Sequence, residues 1–373
     1  MLTSAMGDPA TPPQARAVGS CEVKVWSATS HERLARTFRR LGLEGCGGES
    51  VVLAHEGWVY DEALIGMLAK RPGAALVDAA GRPVAAHVPA AMAEAAAQGL
   101  ETGDLPEALG LERLSAEALQ GAYNSALRKR EPPVLERLTA QNVRQVEARL
   151  FQGSYKGVTD LVTKYVWPTP ARIVTRWCAA ARITPNQVTF ASLILVIVAF
   201  WLFWTGHFGW GLVAAWVMTF LDTVDGKLAR VTLNASPIGN IFDHGIDLIH
   251  PPFWWWAWLV GVQAGAHPLA QPDLILWVVL GGYAVQRALE GIFLRAFNIH
   301  VHAWRPFDSF FRLITARRNP NLLLLTPAAM VGRPDIGLLL VAAWTAISLV
   351  VHAAQLVQAF AVPRASVVSW LSK

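Results

Sequence analysis

Charge is scarce in this sequence. Asp, Glu, Lys and Arg together supply 16% of its 373 residues, whereas 53% are hydrophobic and 16 are Trp. Ordinary soluble domains carry about 25% charged residues, so the balance excludes a disordered chain or a coiled coil and disfavours a soluble enzyme. The shortage is uneven. Residues 1–150 hold 16 basic and 18 acidic side chains, but the remaining 223 hold 16 and only nine, a net charge of +7. Those nine are Asp160, Asp222, Asp225, Asp243, Asp247, Asp273, Glu290, Asp308 and Asp335. A carboxylate kept in so acid-poor and apolar a segment calls for a physical reason.

Cysteine is nearly absent as well. Cys21, Cys46 and Cys178 match neither a disulfide framework nor a zinc site. Met1 to Ser20 lacks the basic stretch and the apolar core of roughly 7 to 15 residues that a secretory leader requires, so the first domain is expected to stay in the cytoplasm.

What the sequence has in abundance, from about residue 188 onward, is apolar runs long enough or nearly long enough to cross a bilayer. Six spans fit: roughly 188–204, 210–222, 238–262, 274–293, 321–331 and 336–360. The second and fifth are short and must borrow residues from their flanks. The outer loops 205–209, 263–273 and 332–335 contain one basic residue, Arg333, whereas the inner segment after the fourth span holds Arg295, Arg305, Arg312, Arg317 and Arg318. Both termini are therefore expected inside. Trp167, Trp177, Trp204, Trp210, Trp277 and Trp304 fall near span ends, where an interfacial belt would put them, and Trp254, Trp255, Trp256 and Trp258 are assigned to the same belt. Residues 161–182 mix apolar side chains with Lys164, Arg172, Arg176 and Arg182, which suits an amphipathic helix in the headgroup layer.

The expected organisation is mainly α. A six-transmembrane-helix bundle over 188–373 follows an amphipathic juxtamembrane segment over 151–187 and an N-terminal cytoplasmic α/β domain with its linker over 1–150. In that first domain Val23–Trp26 and Val51–Leu53 read as strands, His31–Leu41 and Glu62–Lys70 as helices, and 74–88 as strand, turn, strand. The pattern faintly resembles the central part of a sugar-phosphate nucleotidyltransferase domain. Such a domain needs a Gly-rich loop with a basic residue after its first strand to hold a triphosphate. Here Val23–Trp26 runs into Ser27-Ala28-Thr29-Ser30-His31, and the Gly45-Cys46-Gly47-Gly48 cluster sits between a helix and a strand. A non-catalytic scaffold is the expectation.

Four of the nine scarce carboxylates fall between residues 222 and 247. Asp222 and Asp225 are three apart, Asp243 and Asp247 four apart, so each pair shares one face of a helix and two facing helices present all four to one point. Unpaired anions at a membrane edge repel and cost several kcal/mol in desolvation, so a cation is required. Only oxygen donors are on offer, which favours Mg²⁺ or Mn²⁺ and, with them, phosphoryl chemistry. Gly226, Ala229 and Gly239 are small where a ligand or a helix approaches, and Arg230 supplies a fork that matches phosphate. Ser236-Pro237 reads as the N-cap and first residue of the third span. His250-Pro251-Pro252 predicts a kink in it.

The complete pattern D-x2-D-G-x2-A-R-x8-G-x3-D-x3-D resembles the signature of the CDP-alcohol phosphotransferase superfamily, over about residues 153 to 362, and Arg182-Ile-Thr-Pro-Asn-Gln-Val-Thr189 looks like that family's approach to its first span. The resemblance implies that Asp222, Asp225 and Asp243 bind metal ions holding a CDP pyrophosphate. It makes Asp247 the general base, also able to touch a metal. Gly226, Ala229, Arg230 and Gly239 would contact CDP. The partners implied are a CDP-alcohol, a second alcohol and membrane lipids, with no nucleic acid, CMP as product and a homodimer in the cell inner membrane whose site faces the cytoplasm. Phe242-Asp243-His244-Gly245 resembles the choline and ethanolamine phosphotransferases, which favours a lipid alcohol as acceptor. The 184–187 segment and the N-terminal domain look instead like inositol-phosphate-type members, in which CDP-diacylglycerol meets a soluble alcohol such as inositol phosphate or glycerol phosphate. Arg317 and Arg318 would then hold the acceptor phosphate. A reading of another class is a transporter, since intramembrane carboxylates also mark ion pathways.

Overall fold

The computed structural model describes residues 13–45, 48–121, 123–125 and 127–372. Most of the N-terminal stretch used for the leader argument, and Cys46 and Gly47 of the glycine cluster, lie outside them. The chain divides into two compact units. One comprises the chain up to Tyr123 with Glu131–Ser154 and Val231–Leu233; the other comprises Asn124–Arg130, Tyr155–Arg230 and Asn234–Lys373.

The first unit is a sheet with helices on both faces. Its strands are β1 (Gln14–Val18), β2 (Ser50–His55), β3 (Ala74–Val77), β4 (Pro83–Pro89) and β5 (Glu112–Ser115), and its main helices α1 (Ser30–Arg40), α2 (Glu62–Leu68) and α3 (Ala93–Thr102). The order across the sheet is β1-β2-β4-β3-β5. β1 runs parallel to β2, with Gln14 opposite Val51 and Val18 opposite His55. β2 is buried on both faces, so it reads as an unbroken apolar run instead of an alternating one. Val52 and Ala54 join Leu34, Phe38, Leu64 and Ile65 under α1 and α2. Val51 and Leu53 join Ala96 and Leu100 of α3 on the other face.

Two expectations for this unit are corrected. The first strand is Gln14–Val18, whose alternating Gln14 and Arg16 hide its apolar face. Among the described residues Lys24–Val25 pairs only with Ala28–Thr29, as a ribbon whose turn is Trp26-Ser27, both at positive φ. The segment that follows the true first strand, Gly19-Ser20-Cys21-Glu22, holds one glycine and no basic residue before Lys24. The end of the first 150 residues, assigned to a linker, contains a strand, Leu135–Arg137, antiparallel to Trp58–Tyr60, before the helix Val143–Gly153.

The second unit is helical: α4 (Pro168–Ala180), α5 (Pro185–Trp204), α6 (Phe208–Val231), α7 (Pro237–Gln263), α8 (Pro272–Phe297), α9 (Arg318–Met330) and α10 (Pro334–Phe360). α4 begins at Pro168, where a missing N–H is harmless, and exposes Ile173 and Trp177 beside Arg172 and Arg176. α5 starts with a reciprocal cap. The Gln187 amide donates to Thr184 Oγ1, and the Thr184 amide to Gln187 Oε1 at 2.8 Å. α6 continues nine residues beyond Asp222 to Val231, because acids and arginines end an apolar run without ending a helix.

Among the described residues three helices, α5, α8 and α10, are long and apolar enough to cross a membrane by length and composition. α5 turns Phe190, Ile194, Ile197 and Trp201 outward, an apolar stripe that suits lipid and not water. Three of the four clustered tryptophans of α7 are not in a belt, whereas Trp256 is exposed. Trp254, Trp255 and Trp258 are fully buried in the core with Phe203, Met218, Leu322 and Val341. Their indoles are accommodated because Trp254 Nε1 donates to the Val196 carbonyl and Trp258 Nε1 to the Pro334 carbonyl, each at 3.0 Å. Close approach of α5 to α7 is set by Gly261, where a Cβ would strike the Phe203 carbonyl.

Candidate active site

Asp222 and Asp225 lie on α6, Asp243 and Asp247 on the first turns of α7. α7 opens as its sequence dictates, with the Gly239 amide donating to Ser236 Oγ at 2.9 Å. Carboxylate oxygens of Asp222, Asp225 and Asp243 lie within 4.8 Å of one another. Asp225 is buried. Its Oδ2 accepts from Thr189 Oγ1 of α5 at 2.6 Å, while its Oδ1 is buried and accepts from no described protein atom. Three converging carboxylates with one orphaned oxygen and no nitrogen or sulfur donor fit a hard divalent cation.

Asp247 joins this group through Arg318 at the start of α9. Arg318 donates from Nη1 to Asp247 Oδ1 at 2.5 Å and from Nη2 to Asp222 Oδ2 at 2.6 Å. One guanidinium thus fixes the spacing of two carboxylates on different helices. Its sequence neighbour Arg317 goes elsewhere, to Glu290 of α8 at 2.5 Å. His244 Nδ1 lies 3.8 Å from Asp243.

Asp222, Asp243 and Asp247 edge a cavity of about 550 Å³ inside the second unit. Gly226, Ala229 and Arg230 line it. The Arg230 guanidinium lies 3.1 Å from where a Gly226 Cβ would be. Gly239 is set against α5, and a Cβ there would collide with the Asn186 side chain. Eight basic side chains face the cavity: Arg128, Lys156, Lys227, Arg230, Arg287, Arg312, Arg317 and Arg318. Against them stand Asp160, Asp222, Asp243 and Asp247. Nε of Arg287, Nε of Arg317 and Nη1 of Arg312 are buried donors with no acceptor among the described residues. Burial, reinforced by Arg128, Arg230 and Arg312, pushes the Lys156 amine down to about 8 against the pull of Asp243. Burial pushes the Asp160 carboxyl up, but Arg312, the Thr163 amide and the Asn319 side chain outweigh it and hold the group below its usual range. Asn319 Nδ2 donates to Asp160 at 2.9 Å, tying the 160–163 turn to α9.

Tyr283 of α8 is the single aromatic lining residue among those described, and its place follows from a defect in α7. Pro252 has no N–H to give the Leu248 carbonyl four residues earlier. Tyr283 supplies the missing donor, its hydroxyl 3.0 Å from that carbonyl.

Of the four aspartates singled out in the sequence, Asp222, Asp225 and Asp243 converge and Asp247 is linked to them through Arg318, whereas Thr189, Lys156, Arg287, Arg312 and Glu290 were passed over. Thr189 stood inside the segment singled out before the first span. Glu290 stood among the nine rare acids, three residues from Arg287 on the same helix face, and that was the available signal.

Comparison with known proteins agrees with this geometry. Residues 182–317 match the family model described as CDP-alcohol phosphatidyltransferase. Cholinephosphotransferase 1 of Xenopus laevis is 27% identical over 148 residues, 36% of this chain and 35% of that protein. Ethanolaminephosphotransferase 1 of Homo sapiens is 33% identical over 98 residues, 22% of this chain and 23% of that protein. Phosphatidylinositol phosphate synthase of Mycobacteroides abscessus is 34% identical over 83 residues, 21% of this chain and 38% of that protein. The chain thus spans well under half the length of the curated relatives it matches.

Proposed function

We propose, from the premise that residues 182–317 belong to the CDP-alcohol phosphatidyltransferase superfamily, that this chain is an integral membrane transferase moving a substituted phosphate from a CDP-alcohol to a second alcohol. The observation that carries the reading is the convergence of Asp222, Asp225 and Asp243, with an orphaned Asp225 oxygen, on the edge of a cation-rich cavity. In this reading α5 to α10 are the six spans, the first unit is a non-catalytic cytoplasmic scaffold, the membrane is the cell inner membrane, and the chain works as a homodimer.

Asp222, Asp225 and Asp243 would hold Mg²⁺ or Mn²⁺, which supplies neutralisation of the pyrophosphate charge when bound. Asp247 takes the proton from the acceptor hydroxyl, whose oxygen bonds to the phosphorus bearing the donor alcohol. The bond from that phosphorus to the bridging oxygen breaks, and CMP leaves with the oxygen and its electron pair. Arg318 keeps Asp247 aimed, and Arg230 faces the phosphates.

Two substrate assignments remain in play, and the cavity favours one. Phe242-Asp243-His244-Gly245 supports a CDP-linked choline or ethanolamine passed to a lipid alcohol. Recognition of a quaternary ammonium uses aromatic faces, yet the lining offers Tyr283 alone among twice as many cations as carboxylates. Buried unpaired donors on Arg287, Arg312 and Arg317 call for an anion. We therefore favour CDP-diacylglycerol as donor and a phosphate-bearing soluble alcohol as acceptor. A transporter accounts for the carboxylates but not for these donors.

The test is CMP release by purified protein with Mg²⁺ or Mn²⁺. CDP-diacylglycerol is supplied with inositol phosphate or glycerol phosphate, and CDP-choline or CDP-ethanolamine with diacylglycerol. Release in the first set only is expected. Release in the second set only would move the lipid to the acceptor side.

A further inference from the structure

Glu290 is one of the rare carboxylates that the chemistry above leaves unused. It sits on α8 and binds two cavity arginines at once, accepting from Arg287 Nη2 at 2.8 Å on Oε1 and from Arg317 Nη2 at 2.5 Å on Oε2. On its other side stand two buried histidines. His302 Nε2 is 3.3 Å and His352 Nε2 3.4 Å from Oε1. The His352 ring is fixed by Nδ1 donating to the Ser348 carbonyl at 2.8 Å. The pieces come from α8, the 301–303 turn, the start of α9 and α10, so the carboxylate joins four separate stretches of chain.

The charges explain what such a hub does. Two guanidinia on one carboxylate leave a surplus positive charge, and each guanidinium keeps further donors, since five N–H groups are available and Glu290 takes one from each. The Nε donors of both are buried without an acceptor. A long arginine side chain left to itself surrenders rotamer entropy when it grips an anion. Held from behind, it has surrendered that freedom before the anion arrives.

We propose that Glu290 is a positioning residue that presets Arg287 and Arg317 as a rigid receiver for a phosphate group in the cavity. It touches no reacting atom itself. The idea rests on the reading of the acceptor as a phosphate-bearing alcohol, but its test uses a simpler probe.

Glu290, His302 and His352 also place three ligand atoms within 4.8 Å of one another, a set that suits a transition metal. Against it, two guanidinia already occupy both carboxylate oxygens, and a divalent ion would bring three surplus positive charges together.

Inorganic phosphate binding to the full chain, measured by titration calorimetry with saturating CMP and Mg²⁺ to fill the nucleotide's own phosphate positions, separates the outcomes. Glu290→Gln and Arg317→Ala are each expected to weaken phosphate about tenfold, roughly 1.4 kcal/mol, while CMP affinity stays put. The double variant is expected to lose little more than either single one, because both break one unit. Unchanged phosphate affinity in Glu290→Gln, or no phosphate binding by the parent protein, overturns the proposal. So does a stoichiometric metal that is lost in His352→Ala. Where Glu290→Gln does not fold, Glu290→Asp keeps the charge, withdraws it by one methylene and is expected to weaken phosphate in the same direction. Failure of the acceptor reading shows separately, as phosphate-bearing alcohols that release no CMP although inorganic phosphate binds as expected.

Discussion

Thr189 on α5 donates its hydroxyl to Asp225 on α6 at 2.6 Å, and this bond decides which oxygen of Asp225 is left for a ligand. Hydrogen bonds to a metal-ligating carboxylate orient it, and losing one typically costs about 10- to 100-fold in metal affinity. Thr189→Val keeps the shape and removes the donor. Mn²⁺ binding followed by electron paramagnetic resonance is expected to weaken by about tenfold, with the fold retained.

Asp247 accepts from Arg318 and stands on the exposed side of the carboxylate group. Asp247→Asn leaves an amide oxygen for Arg318 and removes the proton acceptor. Turnover is expected to fall by about 10²- to 10⁴-fold, while the affinity for the CDP substrate and for Mn²⁺ changes little. Turnover at the parental rate would remove Asp247 from the reaction.

Lys156 provides a pH signature. Its folded-state value of about 8 lies below that of the unfolded chain, so between the two the unfolded state binds more protons. Stability of the ligand-free protein therefore rises as the pH climbs from 8 toward 10, and Lys156→Gln is expected to flatten that rise in thermal melts. An anion bound beside the amine reverses the preference. Affinity for CMP or phosphate at that position is highest below pH 8 and declines above it, and Lys156→Arg is expected to abolish the decline.

The buried indoles give a stability prediction. Trp258→Phe removes the donor to the Pro334 carbonyl and part of a closely packed ring in contact with Phe203 and Phe208. A loss of about 1–3 kcal/mol is expected, seen as a lower Tm in detergent. Trp277, which is 75% exposed, is the control, and its change to Phe should stay within about 0.5 kcal/mol.

The carboxylate site was readable because helical spacing alone puts residues three and four apart on one face, and because acids in an apolar segment stand out. Ser236 was readable as a cap for a similar reason, since the requirement is local. What could not be read was whatever depends on where helices meet. Arg317 and Arg318 are adjacent in sequence yet serve Glu290 and Asp222, a division made by the backbone direction at the start of α9. Trp254 and Trp258 of α7 have the composition of a belt, and the Val196 and Pro334 carbonyls across the core accept their indole N–H groups and permit their burial. In the first unit, β1 was missed because a five-residue strand with Gln14 and Arg16 on one side has too weak a pattern until β2 pairs with it.

Tyr283 has already spent its only proton on the Leu248 carbonyl that Pro252 left bare. What it turns toward the cavity is therefore a pair of lone pairs and no donor. The contact is one-way: a guest that brings a hydroxyl is welcomed there, and a guest that brings only another acceptor is turned away. An unremarkable flaw in helix hydrogen bonding thus makes one point on the cavity wall sort visitors by the direction of their hydrogen bonds.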